Sequence, residues 1–185
     1  MRKNFGVKSW FYPQPVLIIG TYDENGNPDA MNAAWGGLYD GNKVELCLSA
    51  GHKTTKNIRA TGAFTVSFAD AANLVASDYV GLASANTEPN KMEKSGFHLT
   101  KSQFVNAPLI DELPVAMECK LVKINEDGNV IGEIVNVSAD ESVLGEDGNI
   151  DFSKFRPISF EPIHNGYHVL GERVGNAFQD GAALK

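Results

Sequence analysis

Short runs of alternating apolar and polar residues dominate this chain, and few stretches show a helical period. Pro15 to Tyr22 is an almost unbroken apolar run with β-branched residues, the pattern of a buried strand. Asn25-Gly26 follows, a strong hairpin signal, and Asp29 to Leu38 is expected to be the returning strand. From Lys43 to Ala50, Val44, Leu46 and Leu48 face one way while Glu45, Cys47 and Ser49 face the other, as in a half-buried strand. Phe64, Val66 and Phe68 repeat the alternation against Thr65 and Ser67. Val115, Met117, Cys119 and Leu121 do so against Ala116, Glu118 and Lys120. Asp127-Gly128-Asn129 turns that strand back into Val130 to Val137. Beyond the polar turn Glu146-Asp147-Gly148-Asn149, Ile158 to Phe160 and Tyr167 to Leu170 predict two last strands.

Three helices are expected between these strands. Thr54 to Ala60 reads as a short helix capped by a threonine. Asp70 is placed to cap a second, ending near Ala83, with Leu74, Val75, Tyr79 and Leu82 on one buried side. Asn90 to Ser95 forms a third and stops at Gly96. Six or seven strands in tandem, joined mostly by hairpins, point to a mainly β protein with a few short helices, an antiparallel barrel. Regular strand–helix alternation is absent, which disfavours a doubly wound parallel sheet. No repeat or long linker divides the chain, so residues 1–185 are expected to form a single domain.

Composition narrows the function. Of the 185 residues, 43% are hydrophobic and 21% charged, as in a globular domain. Sixteen basic against 23 acidic residues leave a formal charge of −7, which argues against nucleic acid as partner. Cys47 and Cys119 fall within apolar stretches and are expected to be a reduced, buried pair. No CxxC or Cys/His cluster supports a metal site. No apolar run suits a signal peptide or a membrane span, so a cytoplasmic location and no membrane association are expected.

Three segments carry candidate chemistry. In Asn32-Ala33-Ala34-Trp35-Gly36-Gly37, small residues let a flat ligand approach the backbone, with an indole to border it. The alternative is a barrel corner with a glycine bulge and Trp35 filling the core. Ser49-Ala50-Gly51-His52-Lys53-Thr54-Thr55 runs a strand end into a helix start, and offers free N–H groups, hydroxyls and cations suited to a phosphate. An ordinary capped helix with a solvated lysine would look the same. In Glu88 to Gly96, Lys91 or Lys94 is able to reach an anion, although a solvated helix face is the usual fate of such a run. His98, His164 and His168 are scattered without a nucleophile motif, and GxSxG, HExxH and GxGxxG are absent. No side chain is assigned as a general acid or base.

Taken in order, these pieces resemble the flavin reductase-like, FMN-binding split-barrel family, and within it the flavoredoxin branch. The resemblance runs roughly from Pro15 to Phe178. It is carried by Pro15 to Thr21, Asn32 to Gly37, Lys53 to Ile58 and Gly62 to Val66, then by Asp78 to Gly81, Asn90 to Met92, Ala107-Pro108, Met117 to Cys119, Ile131 to Val135 and Tyr167 to Gly171. It implies a split β-barrel that binds FMN noncovalently at the interface of a homodimer. Asn32, Ala33 and Ala34 would border the ring system with Trp35 beside it. Ser49, Ala50, His52, Thr54 and Thr55 would hold the phosphate, and Lys91 would approach the flavin from the following loop. Electrons would come from NAD(P)H, making the protein a flavin reductase, or from a redox protein, making it a carrier.

Overall fold

The strands Pro28–Ala33 and Gly36–Asp40 are separated by only two residues, yet they form opposite edges of one seven-stranded sheet. A sheet whose edges are tied so closely has to curl. The computed structural model, which describes residues 1–185 apart from the side chain of Ala183, is accordingly a half-barrel. In chain order the strands are β1 (Gln14–Pro15), β2 (Leu17–Tyr22), β3 (Pro28–Ala33), β4 (Gly36–Asp40), β5 (Lys43–Leu46), β6 (Ala63–Phe68), β7 (Leu99–Lys101), β8 (Pro108–Ile110), β9 (Val115–Ile124), β10 (Val130–Ala139), β11 (Ile158–Glu161) and β12 (Gly166–Val169). The helices are α1 (Lys53–Thr61), α2 (Leu74–Leu82), α3 (Lys91–Ser95) and α4 (Phe152–Phe155). The main sheet has the order β3-β2-β6-β9-β10-β5-β4, antiparallel throughout. Strands β1, β11 and β12 form a second sheet, and β7 pairs with β8.

Strand β2 is covered on both faces, which explains its continuous apolar sequence. Leu17 and Ile19 point into the curled sheet with Leu46, Phe64, Val66 and Val130, and Ile58 of α1 plugs that core. Val16 and Ile18 point outward, under α2, the β7–β8 pair and β11. Gly132 permits the tightest contact within the barrel. A Cβ there would lie 2.3 Å from Cζ of Phe64, and the β9–β10 register shifts at this point.

The structure corrects several expectations. The strand expected over residues 29–38 breaks at Ala34-Trp35, because its two halves join opposite edges of the sheet. Trp35 is 59% exposed and does not fill the core, and the register shift in the β4–β5 hairpin lies between Leu38 and Asp40 rather than at the glycines. Strand β5 ends at Leu46, although Leu48 stays buried. Cys119 is buried but Cys47 is exposed, so the cysteines are not a buried pair. Burial, reinforced by the Glu118 charge, pushes the Cys119 thiol up to about 12. The N-cap of α1 is His52, which makes no side-chain cap, and not a threonine, since Thr54 and Thr55 lie within the first turn and their hydroxyls donate to Asp29 and Ser49. Asp70 accepts the Asn73 N–H at 2.9 Å in the turn before α2. That helix buries Ser77 and Val80, while Val75 and Leu82 are exposed. Helix α3 ends, as expected, at a left-handed Gly96.

Candidate functional site

The loop between β5 and α1 folds back on itself. The His52 N–H donates to the Ser49 carbonyl at 3.1 Å, and the Thr55 hydroxyl donates to the same carbonyl at 2.8 Å. The first N–H groups of an α-helix have no partner within it. Here no side chain caps them and no acidic residue occupies the first turn. Ser49, Ala50 and His52 are exposed around this open helix end. The arrangement is a cradle for an oxyanion.

Two lysines flank the cradle, and both already have acidic partners. Lys53 Nζ lies 3.2 Å from Asp23 Oδ2 at the β2–β3 turn. Burial alone would raise the Asp23 carboxyl, but N–H donors from Asn27 and Asn25, together with Lys53, outweigh it and hold the group down at about 2. Lys91 Nζ lies 3.2 Å from Asp29 Oδ1, with both side chains almost fully buried. The Thr54 hydroxyl donates to Asp29 Oδ2 at 3.1 Å. Lys91 is therefore not on a solvated helix face. Asp29, Met31, His52, Lys53 and Lys91 share with the end of α2 a small cleft of about 120 Å³.

Asn32 sits where α2 crosses β3. Its Nδ2 donates to the Ser77 carbonyl at 3.0 Å, and a Cβ on Gly81 would approach its Cβ to 2.9 Å, so only glycine allows this closeness. The Tyr167 hydroxyl, arriving from β12, donates to Asp78 Oδ1 at 2.7 Å. Burial, then the hydrogen bond and charge of Asp78, push the phenol up to about 12, while Asn32 acts in the opposite direction. Strand β3, helix α2 and strand β12 thus converge on one amide.

On the far side of Asn32 the backbone leaves the sheet. Ala34 and Trp35 border an open cleft of about 330 Å³ with Phe11, Gln14, Glu45 and Cys47. The Cys47 N–H donates to the Trp35 carbonyl at 2.8 Å and fixes the break. Burial, with Glu45 and Asp127 nearby, raises the Cys47 thiol.

The structure therefore brings the three candidate segments together along β3. Ser49, Ala50, His52, Thr54, Thr55 and Lys91 gather at one end, and Asn32, Ala33, Ala34 and Trp35 lie at the other. The hydroxyl protons of Thr54 and Thr55 are committed to Asp29 and Ser49, so these residues have their backbone N–H groups left to offer a ligand. Asp29 was not singled out, because an acidic residue in a strand carries no local signal of a buried ion pair. Asp78 and Tyr167 had a signal, since both stand in the stretches that carried the family resemblance. Among the described residues, no cluster of His, Cys, Asp or Glu is arranged to hold a metal ion.

Comparison with known proteins shows the same fold in flavin-binding proteins. The flavoredoxin of Desulfovibrio vulgaris (Miyazaki F) is 35% identical, with a TM-score of 0.93, covering 98% of this chain and 100% of that one. A flavoredoxin from Methanosarcina acetivorans is 25% identical with a TM-score of 0.90, and each chain is covered completely. An FMN-binding domain of a flavin reductases-like enzyme from Shewanella baltica shares the fold at 22% identity, with a TM-score of 0.78 over 88% of this chain and 89% of that one. Among curated relatives, the match to a protein of Aquifex aeolicus is 36% identical over 74 residues, and spans only 38% of either chain. The flavin reductase like domain matches residues 9–159. With most of its length inside that match, the chain belongs to the flavin reductase-like domain family.

Proposed function

We propose that this protein binds FMN along β3 and carries electrons through it. The observation that bears most on this reading is the uncapped, acid-free start of α1, joined by β3 to the sheet break at Ala34-Trp35. A phosphate fits the first site and the edge of a flat ring the second. Because Lys53 and Lys91 are paired with Asp23 and Asp29, the helix-end N–H groups and the exposed His52 supply the net attraction for the phosphate. Asn32, held by Ser77, presents a fixed amide beside the ring. Trp35 and the backbone at Ala34, which line the open cleft, would border the ring. FMN supplies hydride and single-electron chemistry, while the protein orients it and tunes its potential through such hydrogen bonds.

The donor divides the reading in two. Similarity to flavoredoxins over nearly the whole chain favours a carrier that exchanges electrons with a protein partner, whereas the family itself takes its name from flavin reduction. The site is taken to form within a homodimer. The exposed Leu38 and Tyr39 of β4, Val122 of β9, and Val135 and Val137 of β10 provide apolar surface for a second copy.

The test is an absorbance spectrum of protein reconstituted with FMN and then mixed anaerobically with NADH and, separately, NADPH. A carrier keeps its flavin oxidised until dithionite is added. Bleaching within seconds, with turnover of added free FMN, would establish a reductase. Failure to retain FMN would overturn both readings.

A further inference from the structure

Two arms leave the body of this protein and touch almost nothing of it. Of residues 1–13 only Trp10 is partly covered, and Leu170 begins a second exposed stretch. Val7, Val174 and Phe178 are 103%, 101% and 106% exposed, as open as in an isolated chain. Apolar side chains left in water on an ordered backbone are unfavourable twice over. Their surface stays hydrated, and fixing each backbone residue costs about 1–2 kcal/mol in entropy.

The arms nevertheless follow a shared course. The superposition with the Desulfovibrio flavoredoxin takes in 98% of this chain, and that with the Methanosarcina protein takes in all of it, so both arms lie inside the matched region. A repeated course without contacts to the chain's own body requires a second molecule to hold it.

The body has a surface able to receive such an arm. An apolar trough of about 450 Å³ opens between the main sheet and the second sheet, lined by Phe68, Met117, Val137 and Phe155. Pro13 and Leu170, the residues from which the arms depart, stand in its wall. In a two-fold pair each contact occurs twice, so arms leaving beside one trough are available to its symmetry mate. A stable interface of standard size engages about 20–30 residues a side, a number the two arms nearly supply by themselves.

We propose that the terminal arms clasp a second copy of this chain, seating their apolar side chains in its trough beside Phe155. This deepens, and rests on, the homodimer put forward above, but its readout is mass rather than flavin. Light scattering after size exclusion is run on the full chain, with and without FMN, and on the double variant Val174→Asp, Phe178→Asp. These side chains are fully exposed in the monomer, so the variant is expected to fold, which circular dichroism checks. A trough-rim variant, Phe152→Asp, tests the receiving surface; Phe152 is 60% exposed. The expected result is a dimer for the full chain and at least tenfold weaker dimerisation for both variants. A monomeric full chain would overturn the dimer and the clasp together. Variants that dimerise as tightly as the full chain would overturn the clasp alone.

Discussion

Lys91 and Asp29 form an ion pair at 3.2 Å in which each side chain is only 3% exposed. It joins the start of α3 to β3, and Thr54 ties the same carboxylate to α1. Three elements that meet only in the folded chain are thus fastened at one carboxylate, at the end of the cleft assigned to the phosphate.

Removing one partner of a buried pair leaves the other charge unmatched, which costs about 3–5 kcal/mol. Lys91→Met is expected to lower unfolding stability by that amount in urea titrations. Lys91→Met combined with Asp29→Asn is expected to regain most of the loss. An equal loss in the double variant would show that packing, and not charge, is what Lys91 contributes.

Thr54→Ala with Thr55→Ala removes two buried hydroxyls that shape the α1 entry through Asp29 and Ser49. Each net hydrogen bond is worth about 1 kcal/mol, so the chain remains folded at room temperature. FMN affinity, followed by fluorescence quenching, is expected to fall at least tenfold as the cradle loosens. Unchanged affinity would defeat the cradle assignment.

Asp78 raises the Tyr167 phenol through its hydrogen bond and its charge, adding to the effect of burial. Asp78→Asn is therefore expected to lower the pH at which Tyr167 ionises, read from tyrosinate absorbance against a Tyr167→Phe control. Because the Tyr167 phenol also bears on Asn32, Tyr167→Phe is expected to shift the potential of bound FMN. A shift in neither quantity would leave the network without influence on the site.

Glu118 is buried in β9 without a cation. It accepts a hydrogen bond from the Ser102 hydroxyl, and one from Asn136 Nδ2 at 2.6 Å. The Ser102 oxygen in turn accepts the N–H groups of Phe104 and Val105, both at 2.9 Å. Ser102→Ala strips a donor from a buried carboxylate and releases the loop, a loss of about 1–3 kcal/mol. Hydrogen exchange at Phe104 and Val105 is expected to accelerate in the same variant.

Asp23 contributes an acid limb to stability. Its folded pKa of about 2 lies below the ordinary aspartate value of 3.8 that an unfolded chain would show, so its contribution is complete above the unfolded value. That contribution is lost as pH falls from about 4 through 2. Asp23→Asn is expected to flatten this limb in thermal melts taken between pH 5 and 2. An unchanged slope would assign the acid lability to other carboxylates.

Much of this architecture is local enough to be legible in order along the chain. The Asn25-Gly26 hairpin and the stop of α3 at Gly96 each depend on neighbouring residues, and each appears in the structure as read. The alternation over Phe64 to Phe68 does give strand β6, but Thr65 and Ser67 are as buried as Phe64, because both faces of that strand are covered. The break at Ala34-Trp35 is different. The residues on both sides of it have strand character, and only the closure of the sheet sends β3 and β4 to opposite edges. Cys47 and Cys119 likewise sit in similar sequences, but one is buried under the barrel and the other is left at a cleft.

The sequence by itself determined the antiparallel, mainly β class and most strands of the main sheet, and it pointed to the three segments proposed for the site, because period-two alternation and turn chemistry act over a few residues. Only the tertiary structure decided which charges meet. Asp29, Lys91 and Thr54 are distant in the chain, and so are Asp78, Tyr167 and Asn32. Their pairing depends on how helices α1, α2 and α3 dock on β3, a matter of packing between elements that no local pattern encodes.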